Sequence, residues 1–283
     1  RDIQTVLGGR FLDALIYPYT FAEYLAASGV ALEKEWQYGG QRAVVQKLFA
    51  DYMKWGGFPE LLLFRNKRNW LNSLYDKILL GDIIQRNKVK NENALRLTMK
   101  RLAENVMQPI SYNRIANVIR TTGTSIAVSS VSDYVRYAVD ACMIFSLENY
   151  ASKFVEKETV KKHYFVDNGL LSIFLLDGNT ALLENLCAIH LHKKYGDKLY
   201  FYNKNIEVDF LIVDEGYAVQ VSYSIYGDGK QETFDRETKA LVQLDKYLSL
   251  NRMIIVTYDE EGVVTLDNGK QIEVIPVWKW MLE

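Results

Sequence analysis

The stretch YFYNKNIEVDFLIVDEGYAVQVSYSI, Tyr200 to Ile225, decides the fold. Two runs of β-branched and aromatic residues flank the turn signal Asp214-Glu215-Gly216, which reads as a β-hairpin. Side chains two apart on a strand share a face. Glu207 and Asp209 on the first strand, and Gln220 and Ser222 on the second, are therefore expected to converge on one patch. Phosphodiester hydrolysis needs carboxylates to hold Mg²⁺, which polarises the phosphate and activates water. Asp209 suits a metal ligand, and Glu184, in the helix preceding these strands, suits a second. Gln220 offers a neutral carbonyl oxygen, and Ser222 a hydroxyl where such sites commonly carry lysine. On spacing alone, a solvated hairpin end with ordinary acidic residues is the simpler reading.

Outward from the hairpin, strands and helices alternate, as in an α/β domain. HYFVD at residues 163–167 is a buried strand and residues 183–195 a helix. Strands follow at 198–203, 207–213 and 216–223, then a long helix at 235–250. Apolar strands 253–257 and 272–276 close the chain. The first half is helical. A short strand, ALIYP, ends at Pro18. Thr20 then caps a helix, with Glu23 placed for a capping box. Helices are expected at 42–54, after Pro59, at 69–86 with Trp70, Leu74, Ile78 and Ile83 along one side, and at 93–107.

SYNRIANVI (111–119), the turn TTGTSIAV and SVSDYVRYAVDA (130–141) make a helix-turn-helix, with Ser111 as an N-cap and Val131, Tyr134, Val135 and Val139 facing inward. The extended FSLENYASKF follows as a possible wing. Ser129, Ser130 and Ser132 open the second helix, with Arg136 one turn on. Ser and Arg there suit phosphates and base edges, and Arg114 and Arg120 suit further phosphate contacts. A small helical packing module would show the same pattern.

The net charge of −1 hides an asymmetry. Residues 1–165 hold 23 Lys+Arg against 16 Asp+Glu, whereas residues 166–283 hold 11 against 19. A basic half and an acidic half imply different partners. No apolar run reaches membrane-spanning length. The chain opens on RDIQTVLGGR, without Met, and reads as part of a longer cytoplasmic protein with no signal peptide. Cys142 and Cys187 lie in no metal or redox spacing and are expected in the core. His190 and His192, two apart on a helix, do not share a face, and His163 stands alone. No G-x-x-x-x-G-K-[ST] loop occurs.

Several motifs together resemble a large prokaryotic family of AAA+-type ATPases with a nuclease-like C-terminal domain. They are GGRFLDALIYPYTFAEYL, GGFPE, GDIIQRN, SYNRIANVI with VSSVSDYVRYAVDA, KHYFVDNGL, LEN, EVDFLIV with VQVS, and FDRETKAL, in that order. The resemblance implies an α+β, multidomain chain. Residues 1–90 would be the end of the ATPase module and its helical lid, 91–162 a winged helix-turn-helix, and 163–283 an α/β domain of PD-(D/E)XK nuclease type. Glu184, Asp209 and Gln220 fall at its motif positions, with Asp209 and Glu184 as metal ligands, and Arg10 would sense the ATP γ-phosphate. ATP and Mg²⁺ belong to the full-length parent, and neither is expected to be tightly bound here. Duplex DNA and further copies of the chain are the expected partners, and a membrane is not. Ser222 departs from the family's lysine and argues against efficient cleavage, unless Arg236 or Lys239 supplies the charge. An active Mg²⁺-dependent DNA endonuclease and a non-enzymatic protein-interaction module are the alternatives.

Overall fold

The computed structural model describes residues 15–283, which form a mixed α/β structure around a large mixed sheet. Arg10, and with it the expected phosphate sensor, lies outside the described residues, as does most of GGRFLDA. Residues 15–18 take no regular structure, so the strand expected there is not formed by the part that is described.

The helical half begins with α1 (Phe21–Ala27). Thr20 Oγ1 accepts from the Glu23 backbone, and the Glu23 carboxylate accepts from the Thr20 N–H, so the capping box is complete. Such a cap contributes about 1 kcal/mol. Helix α2 (Gln41–Trp55) follows. Pro59 opens only one short turn, Pro59–Leu62. Helix α3 (Lys67–Lys77) continues into a π-helical stretch, Ile78–Gln85, which contains most of the GDIIQRN motif. Its fully buried stripe is Leu71, Leu79 and Ile83, with Tyr75 nearly so. That stripe is offset by one residue from the expected Trp70, Leu74 and Ile78.

Helix α4 (Glu92–Glu104) leads to the short β1 (Ile110–Ser111), then α5 (Tyr112–Thr121) and α6 (Val128–Asp140). Ser111 caps α5 as expected, its hydroxyl accepting from the Arg114 N–H. In α6 the inward positions are Val131, Tyr134, Val135 and Ala138, the i, i+3, i+4, i+7 set. Val139, expected inside, is exposed because it lies one position past that stripe.

Strand β2 (Ile144–Asn149) and helix α7 (Phe154–Thr159) replace the single extended segment expected after α6. Strand β3 (Val160–Phe165) pairs antiparallel with β2 and β1. It starts three residues earlier than HYFVD implied, and the expected domain boundary at 162 falls inside it. Helices α8 (Asn168–Ser172) and α9 (Asn179–Tyr195) precede β4 (Leu199–Asn203), β5 (Glu207–Ile212) and β6 (Tyr217–Val221). Helix α10 (Gln231–Leu248), β7 (Arg252–Thr257), β8 (Gly262–Thr265), β9 (Gln271–Pro276) and α11 (Val277–Trp280) complete the chain.

The strand order is β1-β3-β2-β4-β5-β6-β7-β9-β8. Parallel pairing of β2 with β4 joins the strands that follow the helix-turn-helix to the hairpin sheet. Strands β4, β5 and β6 are antiparallel, and β7 lies parallel to both β6 and β9. Every residue of β6 is buried, as its central place demands. Tyr217, Val219 and Val221 pack into the apolar core that contains α9, while Ala218 packs with Leu241 and Leu244 of α10. The first of these cores runs without interruption from Phe21 to Met281.

GGFPE, VDNGL and LEN each contribute residues to one buried junction. Asp167 Oδ2 accepts from the Gly57 N–H at 2.7 Å, and Oδ1 accepts from the Gly169 N–H at 2.8 Å. Gly56 has φ +79, and a Cβ on it would meet the Asp167 carboxylate at 1.8 Å, so only glycine fits. Asn168 donates to the carbonyls of Met53 and Leu182, and Asn185 donates to Asn168 Oδ1 and pairs with the Phe165 backbone. These motifs lock α2 onto β3 and α9.

Candidate functional site

Asp209 on β5, Gln220 on β6 and Glu184 on α9 come together, as the sequence indicated. At their centre is a residue it did not indicate: Lys162 of β3. The Lys162 side chain has 0% exposure, and its Nζ lies 3.0 Å from Asp209 Oδ1, 3.3 Å from Glu184 Oε1 and 3.3 Å from Glu207 Oε1. Tyr164, two residues along the same strand and so on the same face, donates its hydroxyl to Glu184 Oε1 at 2.7 Å. Asp209 Oδ2 accepts from the Val221 N–H.

Gln220 has a structural role beside its place in the patch. Its Oε1 accepts from the Asp209 N–H at 2.8 Å, so one of its lone pairs is already engaged. Its amide nitrogen donates to the Glu207 carbonyl and to Glu237 Oε2 of α10. One N–H and two oxygens around the amide fix which end is which. Gln220 lines the cleft and ties β5, β6 and α10 together. Ser222 does not join the patch: its hydroxyl donates to the Ser224 carbonyl.

A cleft of about 570 Å³ opens over the cluster. Thr180 and Glu184 line it from α9, Asn205 and Ile206 from the β4–β5 turn, and Arg236 and Lys239 from α10. Met107 and Gln108 border it from the α4–β1 connection. Arg236 is paired with Glu237, and Lys239 is exposed on the rim. Neither is the cation buried among the carboxylates.

Burial works against a charge on Lys162, but the carboxylates of Glu184, Asp209 and Glu207 outweigh it and raise its pKa. Burial pushes Glu184 up to about 8, against the opposing pull of the Lys162 ammonium. Glu237 is also raised, first by burial, with the Arg236 hydrogen bond opposing. The cluster thus sets one buried ammonium against three carboxyl groups.

The fit to Mg²⁺ fails on this geometry. Among the described residues no group of three or more His, Cys, Asp or Glu side chains is arranged to hold a metal ion. The carboxylates expected to be ligands point instead at an ammonium, and Asp209 and Glu184 each spend an oxygen on it.

The helix-turn-helix residues separate into two groups. Arg114, Ser129, Ser132 and Arg136 are exposed and Ser130 is half-buried. Arg136 pairs with Asp133 at 2.8 Å. Arg120 is spent internally: Nε and Nη2 donate to the Ile126 carbonyl at 2.9 and 2.8 Å, and Nη1 donates to Asn117 Oδ1. It closes the turn between α5 and α6.

Cys187 is buried as expected, but Cys142 is exposed, in the turn after α6 with φ +53. His163 is buried, shares a 2.8 Å hydrogen bond with Ser146, and is pushed down to about 3 by burial. His192 stacks on Phe145 with ring centroids 4.1 Å apart. The histidines are thus packing residues. No described helix is long and apolar enough to cross a membrane.

Residues 46–181 match the model of a domain of unknown function (DUF8612), a segment that takes in Lys162 and ends just before Glu184. Over 296 aligned residues the chain is 30% identical to an uncharacterized protein of the archaeon Methanocaldococcus jannaschii, covering all of this chain and 66% of that protein. It is 29% identical over 291 residues to an uncharacterized protein of Haemophilus influenzae, covering all of this chain and 68% of that protein. The chain therefore spans about two thirds of the length of these relatives. No solved structure matches it.

Proposed function

We propose that this chain is the C-terminal region of an ATP-dependent AAA+-type ATPase, in which a winged helix-turn-helix binds duplex DNA beside a PD-(D/E)XK-like domain that does not cleave efficiently. The ATPase part of this reading rests on the ordered motifs, and ATP and Mg²⁺ would act in the full-length protein. The observation that carries the rest is the cluster itself. Glu184, Asp209 and Gln220 meet at one end of a mixed sheet, in a cleft, yet the position a metal would need is filled by the Lys162 ammonium. The order α4-β1-α5-α6-β2-β3, with β1 and β2 flanking β3, supports the winged-helix reading. Exposed Arg114 and Ser129 supply the phosphate-facing groups.

The test is a mobility shift on duplex DNA over a range of salt, with plasmid nicking measured in parallel in Mg²⁺. The proposal expects affinity that falls steeply with salt and no nicking above that of an Asp209→Ala variant. Salt-independent or absent binding by the full-length protein would sink the DNA role, and nicking lost on Asp209→Ala would replace it with an active endonuclease.

One observation favours a second reading, a protein-interaction module. Two of the arginines expected to meet phosphate, Arg120 and Arg136, are already paired within the chain. The acidic second half also repels nucleic acid. A defined protein partner in pull-downs, with no DNA affinity, would favour it.

A further inference from the structure

We infer that Lys162 is the resident cation of the cleft: its ammonium permanently neutralises the carboxylates that a divalent ion neutralises in a metal-dependent site, and removing it uncovers a latent divalent-metal site. The inference deepens the reading of a non-cleaving nuclease-like domain, but it stands on the cluster's geometry and not on DNA binding.

Glu184 comes from α9 and Glu207 and Asp209 from β5, and the three converge on one point. An ammonium is there, within 3.0 to 3.3 Å of an oxygen from each. Three carboxylates facing one another in a partly buried pocket repel unless something positive sits between them. Lys162 meets that need from inside the protein, on a side chain with no solvent exposure, its Nζ lying 5.7 Å from the centre of the Phe201 ring. The rest of the shell is built to hold the carboxylates still. Tyr164 donates to Glu184, the Val221 N–H donates to Asp209, and Gln220 fastens the backbone of both Asp209 and Glu207.

A tethered ammonium cannot polarise a phosphate and deliver an activated water as a metal ion does. It keeps the cleft assembled at any metal concentration. A second positive ion cannot enter, because the oxygens nearest the centre are engaged and the centre is already charged. Without the ammonium, the same oxygens become hard, anionic ligands of the kind Mg²⁺ and Mn²⁺ prefer.

The experiment titrates Mn²⁺ into the wild-type chain and Lys162→Ala, read by electron paramagnetic resonance of the free ion. The expected result is no saturable site in the wild type. Lys162→Ala should show one site at least about tenfold tighter than any wild-type binding, lost again when Asp209→Asn is added. Lys162→Met, which keeps an apolar stem of similar length, is the second variant if the alanine does not fold. A saturable wild-type site abolished by Asp209→Asn overturns the inference. So does a folded Lys162 variant, verified by circular dichroism, that binds no Mn²⁺. Duplex DNA binding, measured in chelator, succeeds or fails independently of these outcomes.

Discussion

Lys162 Nζ and Asp209 Oδ1 lie 3.0 Å apart, although one belongs to the strand that follows the helix-turn-helix and the other to the hairpin. The contact reaches across intervening strands, since β3 and β5 are separated in the sheet by β2 and β4. Glu184 of α9 completes the group, 3.3 Å from the same Nζ.

Breaking this group should be costly. Lys162→Met leaves Glu184, Asp209 and Glu207 facing one another without their counter-ion. Removing one partner of a buried ion pair costs about 3–5 kcal/mol. Urea unfolding at pH 7 should show a loss of that order. An unchanged midpoint would mean that the ammonium does not stabilise the cluster.

Glu184 gives a pH dependence of defined sign. Its folded pKa, about 8, lies above its ordinary value of 4.5, with burial as the largest cause. A carboxyl raised on folding stabilises the fold fully below the unfolded pKa, and that contribution is lost as pH rises through the folded one. Stability should therefore decline between about pH 5 and pH 9, with Glu184 as one contributor. Glu184→Gln cannot titrate there, so its unfolding midpoint should fall less over that window. Parallel profiles for the two proteins would count against the assignment.

The sequence made the sheet half legible because its strands are short, apolar and bounded by turns. The hairpin, α9, α10 and the two apolar strands β7 and β9 all lie within a few residues of where periodicity puts them. Glu184, Asp209 and Gln220 were legible through the two-residue strand period and the helix before it. Lys162 was not, because the apolar run HYFVD begins at His163 and leaves the lysine outside the strand that periodicity marks. A signal was present in VKKHYF: Lys162 and Tyr164 are two apart, and a lysine on the buried face of an apolar strand needs a carboxylate partner. The roles of Gln220 and Arg120 depend on which groups the fold brings opposite them, and no local pattern encodes that.

The junction built by Asp167 should be intolerant of small changes. Gly56→Ala adds a Cβ at φ +79 that would meet the Asp167 carboxylate at 1.8 Å. A residue forced into that conformation destabilises by more than about 1 kcal/mol before the clash is counted. Asp167→Asn keeps one acceptor but turns an amide N–H₂ toward a backbone N–H, for a loss of about 1–3 kcal/mol. Thermal melts of both variants test this, and the change should be one of stability, with the Lys162 cluster left intact in any protein that folds.

Arg114 and Arg120 should separate binding from folding within the helix-turn-helix. Arg120 donates to the Ile126 carbonyl through two nitrogens, so Arg120→Ala should loosen the α5–α6 turn and cost about 1–3 kcal/mol of stability. Arg114 is exposed in the first turn of α5, so Arg114→Ala should leave the melting temperature within error. If duplex DNA lies across this face, Arg114→Ala should weaken it about equally for all sequences and lower the slope of log affinity against log salt by about 1. Arg120→Ala should weaken binding only as far as it unfolds the turn, and low temperature should restore it. Affinity and salt slope unchanged by Arg114→Ala would move the DNA contact to another surface, and a complete absence of binding in both proteins would favour the protein-interaction reading.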